Sequence, residues 1–447
     1  MSLLKQPGLF MNGIGSKFKA LGTTSKNAWF FTFEGAVGAV ILNLANPFFS
    51  MFARRIGASD YQIGLISSLP ALVGILALVP GSLLVDRSGN KKRIVSLLIL
   101  LFGVMYPLAA LSPFLGNYKI PLYITIIALM NWPFSVFNIS WQSFFSDVMV
   151  SQFNPAFMKR TRAATVVGTS TSLAAGLLLA YIPKNDGERI LMYQLFFCLS
   201  FVLALIQSWL LKRVIAPPVL KSEEDKTNGF AMVKECLNNL LVYKEFRTFT
   251  ILAFIFHVSW HMGWPLFFIY QVDVIGINEA WLSYVNVAVG FAGVLTYTFW
   301  GKEIEKRGAR LILIFGTLGL AMNALTIVLV RTPYLLLFQS TMTGLTFSAF
   351  TLAIFAYLIE VVPQKNKTIN IAVYTTFINL SQFISPLMGV WFYKQTSITI
   401  ALVFVGVFRL LAGSLFIAKY ISGRKKSFRS GVQQEQPALY NTEPLNK

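Results

Sequence analysis

Ser82-Leu83-Leu84-Val85-Asp86-Arg87-Ser88-Gly89-Asn90-Lys91-Lys92-Arg93 is a small-residue and charged connection between two long apolar runs, Gln62–Val85 and Ile94–Leu115. Each run can cross about 30 Å of hydrocarbon as a helix rising about 1.5 Å per residue. The connection has a second copy. Gly301 stands 219 positions after Ser82, Glu305 after Asp86, Lys306 after Arg87, Gly308 after Gly89 and Arg310 after Lys91. The same offset holds further back, where Ile275-Gly276 answers Ile56-Gly57 and Glu279 answers Asp60. Charge signs and glycines matched at one offset mark an internal repeat. A looser echo follows: Asp147 leads into Lys159-Arg160-Thr161-Arg162, and Glu360 into Pro363 and Lys365-Asn366-Lys367.

Working outward, apolar runs recur from Trp29 to Tyr420. The first six are Trp29–Phe52, Gln62–Val85, Ile94–Leu115, Ile120–Phe145, Ala163–Ile182 and Ile190–Leu211. The second six are Phe249–Val272, Trp281–Trp300, Leu311–Val330, Tyr334–Ile359, Ile369–Tyr393 and Ile398–Tyr420. They are continuously apolar and do not alternate, so they read as helices and not as barrel strands. Hydrophobic residues make up 55% of the chain and charged residues 13%, which a soluble domain rarely combines. The expected fold is an all-α integral membrane protein, with twelve transmembrane helices in two pseudo-symmetric six-helix bundles. Pro47, Pro70, Pro133, Pro265 and Pro386 lie within spans, where neighbouring helices can satisfy the freed carbonyls.

The formal charge of +20 reflects basic residues in the connections and not a nucleic-acid footprint. With both termini placed in the cytoplasm, about 30 of the 38 Lys and Arg fall on that side. The expected location is therefore the cell membrane, multi-pass, as a monomer in the lipid bilayer. Residues 1–28 form a cytoplasmic segment without a cleavable signal. Residues 29–211 and 249–420 form the bundles, and 212–248 a linker. Val233, Leu237, Leu240 and Leu241 have the spacing of an amphipathic surface helix in that linker. Residues 421–447 are expected to be a disordered tail. Cys198 and Cys236 offer neither a disulfide framework nor a metal-ligand spacing.

The 82–93 stretch resembles the signature loop between spans two and three of the major facilitator superfamily: a small residue, three others, Asp, a basic residue, one other, Gly, then a basic cluster. The family usually starts it with Gly, a place held here by Ser82 and kept as Gly301 in the second copy. The resemblance implies a secondary active transporter working by alternating access on a small-molecule substrate, with no cofactor. It also implies a cytoplasmic gate at Ser82, Asp86, Arg87, Gly89 and Lys91 with Gly301, Glu305, Gly308 and Arg310. Asp147, Arg162 and Glu360 supply its partner charges. A carboxylate at a helix end can pair with a neighbouring base such as Arg162, closing one side in one conformation. Otherwise these charges only set topology.

The same resemblance places spans one, four, seven and ten around a central cavity, helped by two, five, eight and eleven. Span four carries Asn131, Ser135, Asn138 and Gln142 on one helix face, with Trp141 beside them; span eleven carries Thr375, Asn379 and Gln382. Span seven carries His257, His261 and Trp264. Polar side chains in hydrocarbon turn inward or bond between helices, and the set reads as a cavity lining. Glu34 is the one carboxylate well inside a span, either a proton carrier or half of a structural pair. His261 is the second candidate for proton coupling. No third ligand accompanies the two histidines, so no metal site is expected. Arg409, central in span twelve, needs a partner. Span five runs Val166-Val167-Gly168-Thr169-Ser170-Thr171-Ser172 without the proline of the family's drug exporters. Export of amphipathic compounds or lipids is the alternative to uptake. A membrane enzyme lacks a nucleophile elbow, a metal cluster or a phosphate-cradling loop to support it, and a non-transporting receptor is the last reading.

Overall fold

Apolar length sets the number of helices, and the polar residues flanking each run set their ends. The computed structural model describes residues 22–87, 90–216, 234, 238–363 and 367–429. The side chains of 78–80, 82–87, 151, 153–154, 368–369 and 424–429 are not among those described. The first bundle comprises α1 (Thr23–Ala45, continued through a 3-10 turn at Asn46–Phe48 into Phe49–Arg55), α2 (Asp60–Arg87), α3 (Lys91–Leu111), α4 (Lys119–Val148), α5 (Phe153–Tyr181) and α6 (Asp186–Arg213). The second comprises α7 (Lys244–Ile269), α8 (Glu279–Arg307), α9 (Ala309–Thr326), α10 (Pro333–Val361), α11 (Lys367–Gln395) and α12 (Ile398–Arg429).

The helices outrun the apolar segments because capping residues sit just outside the hydrocarbon. Asn90, Asn185 and Asn278 each accept a hydrogen bond from the backbone N–H three residues on, at 3.0, 2.9 and 3.1 Å. Each thereby satisfies one of the unpaired donors of a helix start. α12 is helical as far as Arg429, so the tail expected to be disordered from 421 begins with helix. Most of the expected amphipathic linker helix and the N-terminal segment lie outside the described residues, although Asn238–Val242 are helical.

Matched glycines in the repeat have a backbone cause. Gly57 and Gly276, at φ 98° and 75°, occupy the same place in the two copies, where α1 turns into α2 and α7 into α8. A side chain there would strain the turn. Gly308, at φ 84°, joins α8 to α9 in the same way.

Helix neighbours repeat with equal fidelity. α1 packs on α5 and α6, α2 on α4, and α3 on α4 and α6; α7 packs on α11 and α12, α8 on α10, and α9 on α10 and α12. Between bundles, α2 meets α11 and α5 meets α8. The contacts are thus two six-helix units related by a two-fold, as the repeat implies.

Arg409 is 1% exposed and pairs with no described carboxylate. Its Nε, Nη1 and Nη2 donate to the carbonyls of Ser259, Leu320 and Trp260 at 3.3, 3.2 and 2.9 Å. The guanidinium therefore ties α12 to α7 and α9 through backbone oxygens. Gly263 makes room for it, since a Cβ there would lie 2.5 Å from Nη2. Arg409→Ala strips three carbonyls of a donor and opens a void. We expect about 3 kcal/mol or more of lost stability, read as a lower thermal midpoint in detergent. An unchanged midpoint contradicts this role.

Candidate functional site

Two ends of the bundle pair behave differently. At the end where α1 and α7 finish, charges bridge the bundles. Arg54 pairs with Asp273, and Lys394 with Asp60. Arg55 holds Glu279 with one edge of its guanidinium, Nε donating to Oε1 at 3.1 Å and Nη2 to Oε2 at 3.3 Å. Tyr193 donates its hydroxyl to the same Oε1 at 3.1 Å, and Arg189 Nε lies 4.0 Å from it. Glu279 is fully buried, so these partners replace all its water. Arg54 and Asp273 are 219 positions apart, hence the same place in the two copies with opposite charge. Asp60 and Glu279 are likewise equivalents, each opening the second helix of its bundle.

Below these charges the helices close up. Ser68 donates to the Phe383 carbonyl across α2 and α11, and Ser283 donates to the Ser172 carbonyl at 2.8 Å across α8 and α5. Gly64 faces Leu387 and Val390, and Gly176 faces Ser283; bare backbone permits both approaches. Local geometry aims the charges. A 3-10 turn at Asn46–Phe48 precedes Arg54 in α1, and a π turn at Tyr270–Val274 carries Asp273 beyond α7. Such turns often occur at functional positions.

The other end, where the linker attaches, differs. Lys91 reaches Asp147 at 2.7 Å and Ser143 at 2.8 Å, within the first bundle. Its counterpart Arg310 reaches Glu360 at 3.7 Å, within the second. Arg162 and Glu305 are exposed, and Gly301 has no close neighbour. The side chains of Ser82, Asp86 and Arg87, and all of Gly89, lie outside the described residues. The described residues expected to gate between bundles instead tie each bundle's third and fourth helices together in this state.

The predicted cavity residues divide into two clusters and a few walls. In the first bundle, Glu34 is fully buried between Gln207 and Arg160. Gln207 Nε2 donates to Oε1 at 2.7 Å, and Arg160 Nε to Oε2 at 3.2 Å. The Arg160 guanidinium lies 3.9 Å over the Trp141 ring. The sequence reading named no base for Glu34; Arg160 takes that place, while Arg162, expected at the cytoplasmic gate, is exposed about 200° away around the helix. In the second bundle, His257 Nδ1 donates to the Ala253 carbonyl at 2.7 Å. His261 Nδ1 meets Ser381 Oγ at 2.9 Å, and Ser381 donates in turn to the Ile378 carbonyl at 2.7 Å. Ser381 spends its proton there, so His261 Nδ1 carries the hydrogen and its Nε2 is the acceptor. Trp260 stacks on His261 and Trp264 meets it edge-on. Asn138 and Gln142 are exposed on α4, Asn379 and Gln382 are half-buried on α11, and Asn131 donates to the Pro70 carbonyl. Ser381 and Gln207 were missed because a lone Ser or Gln in a span carries no periodic signal.

Two pseudo-symmetric six-helix bundles clasped by charges at one end have the architecture of an alternating-access membrane protein. The sequence profile of the Major Facilitator Superfamily matches residues 33–296 and 249–441, so the chain belongs to that superfamily. Membership makes it a transporter and not an enzyme. No curated protein matches the chain in sequence. Solved structures share the fold. A mutant of the nucleoside transporter NupG aligns with TM-score 0.72 at 9% identity, over 88% of this chain and 99% of its own. A bacterial homolog of the human lysosomal transporter Spinster aligns with 0.66 at 13%, over 89% and 97%. The xylose transporter XylE from E. coli aligns with 0.59 at 14%, over 89% and 97%.

Glu279→Gln removes the charge that Arg55 pairs with and leaves two arginines beside a neutral amide. The closed end should loosen. In a background free of Cys198 and Cys236, a cysteine at Ser172 should react about ten-fold or more faster with an impermeant maleimide added from that end. Equal rates in the two backgrounds refute the seal.

Proposed function

We propose that this chain is a secondary active carrier of a small solute in the cell membrane, working by alternating access. Both termini face the cytoplasm, and the protein acts as a monomer. The observation that carries the reading is the one-sided closure. The bonds that join the bundles through Arg54, Arg55, Ser68, Tyr193, Ser283 and Lys394 lie toward the end holding Arg54, Arg55, Asp273 and Glu279. With the charge-based orientation, that end faces outward and the cleft opens to the cytoplasm. A carrier must break this seal and make another at the cytoplasmic end. Lys91–Asp147 and Arg310–Glu360 hold the helix pairs that would meet there, and the expected gate loops lead into the third helix of each bundle, α3 and α9. Nucleosides and xylose are what two of the structural neighbours carry, and they belong in any substrate screen.

Protons are the proposed coupling ion, with Glu34 and His261 as carriers. Glu34 holds Arg160 only while it is charged, so its protonation frees a base on another helix. His261 sits between an aromatic wall and a Ser381 relay, with Nε2 left to accept.

Two measurements test the reading in proteoliposomes with an imposed pH gradient. Arg54→Asp should cut uptake at least ten-fold, because two carboxylates then face each other across the closed end. The exchange Arg54→Asp with Asp273→Arg should restore most of it; failure of the double variant to recover counts against the gate. Glu34→Gln should abolish gradient-driven accumulation while leaving substrate exchange at equal pH. Accumulation that survives in this variant removes Glu34 from the coupling.

A further inference from the structure

The Glu34 cluster contains more hydrogen-bonding capacity than it uses. Trp141 is 5% exposed, and its indole N–H has no acceptor among the described residues. An unbonded N–H at that depth is costly to leave unpaired, so an acceptor is expected when the site is occupied. Arg160 supplies a second donor. Glu34 engages its Nε and, at 3.5 Å, its Nη2, while Nη1 bonds to no described residue. The Arg160 side chain is 19% exposed, whereas Glu34 is not exposed at all. One edge of the guanidinium is thus held by a carboxylate and one face rests on an indole, while the side chain as a whole keeps part of its surface exposed.

That arrangement is preorganised. Gly35 lets Arg160 lie flat against α1, because a Cβ there would come 2.6 Å from its Cγ. Gln207 holds the other side of Glu34 and has room because of Gly38. The charged fork therefore has one orientation before anything binds. Asn138 and Gln142, exposed on α4, flank Trp141 in sequence, and Lys159 and Arg162 are exposed beside Arg160 on α5. The local potential outside the cluster is positive, which draws anions in.

We propose that Arg160 Nη1 and the Trp141 indole N–H form an oxyanion subsite at the cytoplasmic mouth of the cleft, and that the transported solute carries a carboxylate or phosphate bound there. Glu34 is the resident counter-ion that orients Arg160 and competes with the ligand for its charge. The inference rests on the carrier reading only for the word transported; binding itself does not require flux.

Titration of the purified full-length protein with benzoate and with phenyl phosphate tests this, benzamide serving as the uncharged control of the same shape. Microscale calorimetry and thermal shift both read it. Benzoate or phenyl phosphate should bind and benzamide should not, and the preferred anion tells carboxylate from phosphate. Arg160→Lys keeps the charge and loses the fork; it should weaken binding about ten-fold. Trp141→Phe keeps the ring beneath the guanidinium and removes the N–H; about five-fold weakening is expected. Glu34→Gln removes the competitor and should tighten binding several-fold, an outcome that a purely structural ion pair does not produce. Phosphatidylglycerol added to the micelles should not compete; competition lost in Arg160→Lys assigns the subsite to a lipid headgroup and overturns the solute reading. Equal affinity for benzamide, or anion binding unchanged in Arg160→Lys, also overturns it. Anion binding without any flux leaves the subsite standing and sinks the carrier reading instead.

Discussion

A charge taken into a membrane protein's interior loses its water, and the protein must replace that water with partners. Glu34, Asp60, Glu279 and Arg409 are the charged side chains at least nine-tenths buried among the described residues. Each ties together helices that are distant in sequence. Glu34 joins α1 to α5 and α6, Asp60 joins α2 to α11, Glu279 joins α8 to α1 and α6, and Arg409 joins α12 to α7 and α9. Two of these ties lie inside one bundle, and the other two cross between bundles. The inner ties use partners of one rigid unit. The crossing ties sit at one end only, so they can be separated without unfolding either unit.

Duplication explains how such a seal arises with little invention. The two copies place Arg54 and Asp273 at equivalent positions near the two-fold axis, where equivalent residues meet each other. Opposite charges there attract; the same residue in both copies would repel. Asp60 and Glu279 keep one sign and find bases on the opposite bundle. Lys91–Asp147 and Arg310–Glu360 show the complementary case, conserving charge sign in both copies and remaining inside each bundle. Symmetry of sequence thus produced both internal braces and a breakable clasp.

The cleft walls are chemically unlike each other. The first bundle presents a guanidinium on an indole with an unspent N–H, beside a fully buried carboxylate. The second presents stacked imidazole and indole rings, with a serine relay behind them.

Sequence alone determined the run of apolar crossings, the two-fold repeat and the superfamily, because hydrocarbon thickness and offset identities are properties of the linear chain. It also picked out Glu34, His257, His261 and Arg409, since an ionisable residue within an apolar run is conspicuous. It could not see Arg160, Gln207 or Ser381 as partners, because those depend on which face of a helix meets which neighbour. Nor could it show that the described loop charges brace single bundles while Arg54, Asp273 and Glu279 span both. Contact across a bundle is set by packing angles and by glycines such as Gly64 and Gly176 that let helices approach. Those angles are decided when twelve helices pack at once, and no local stretch of sequence contains them.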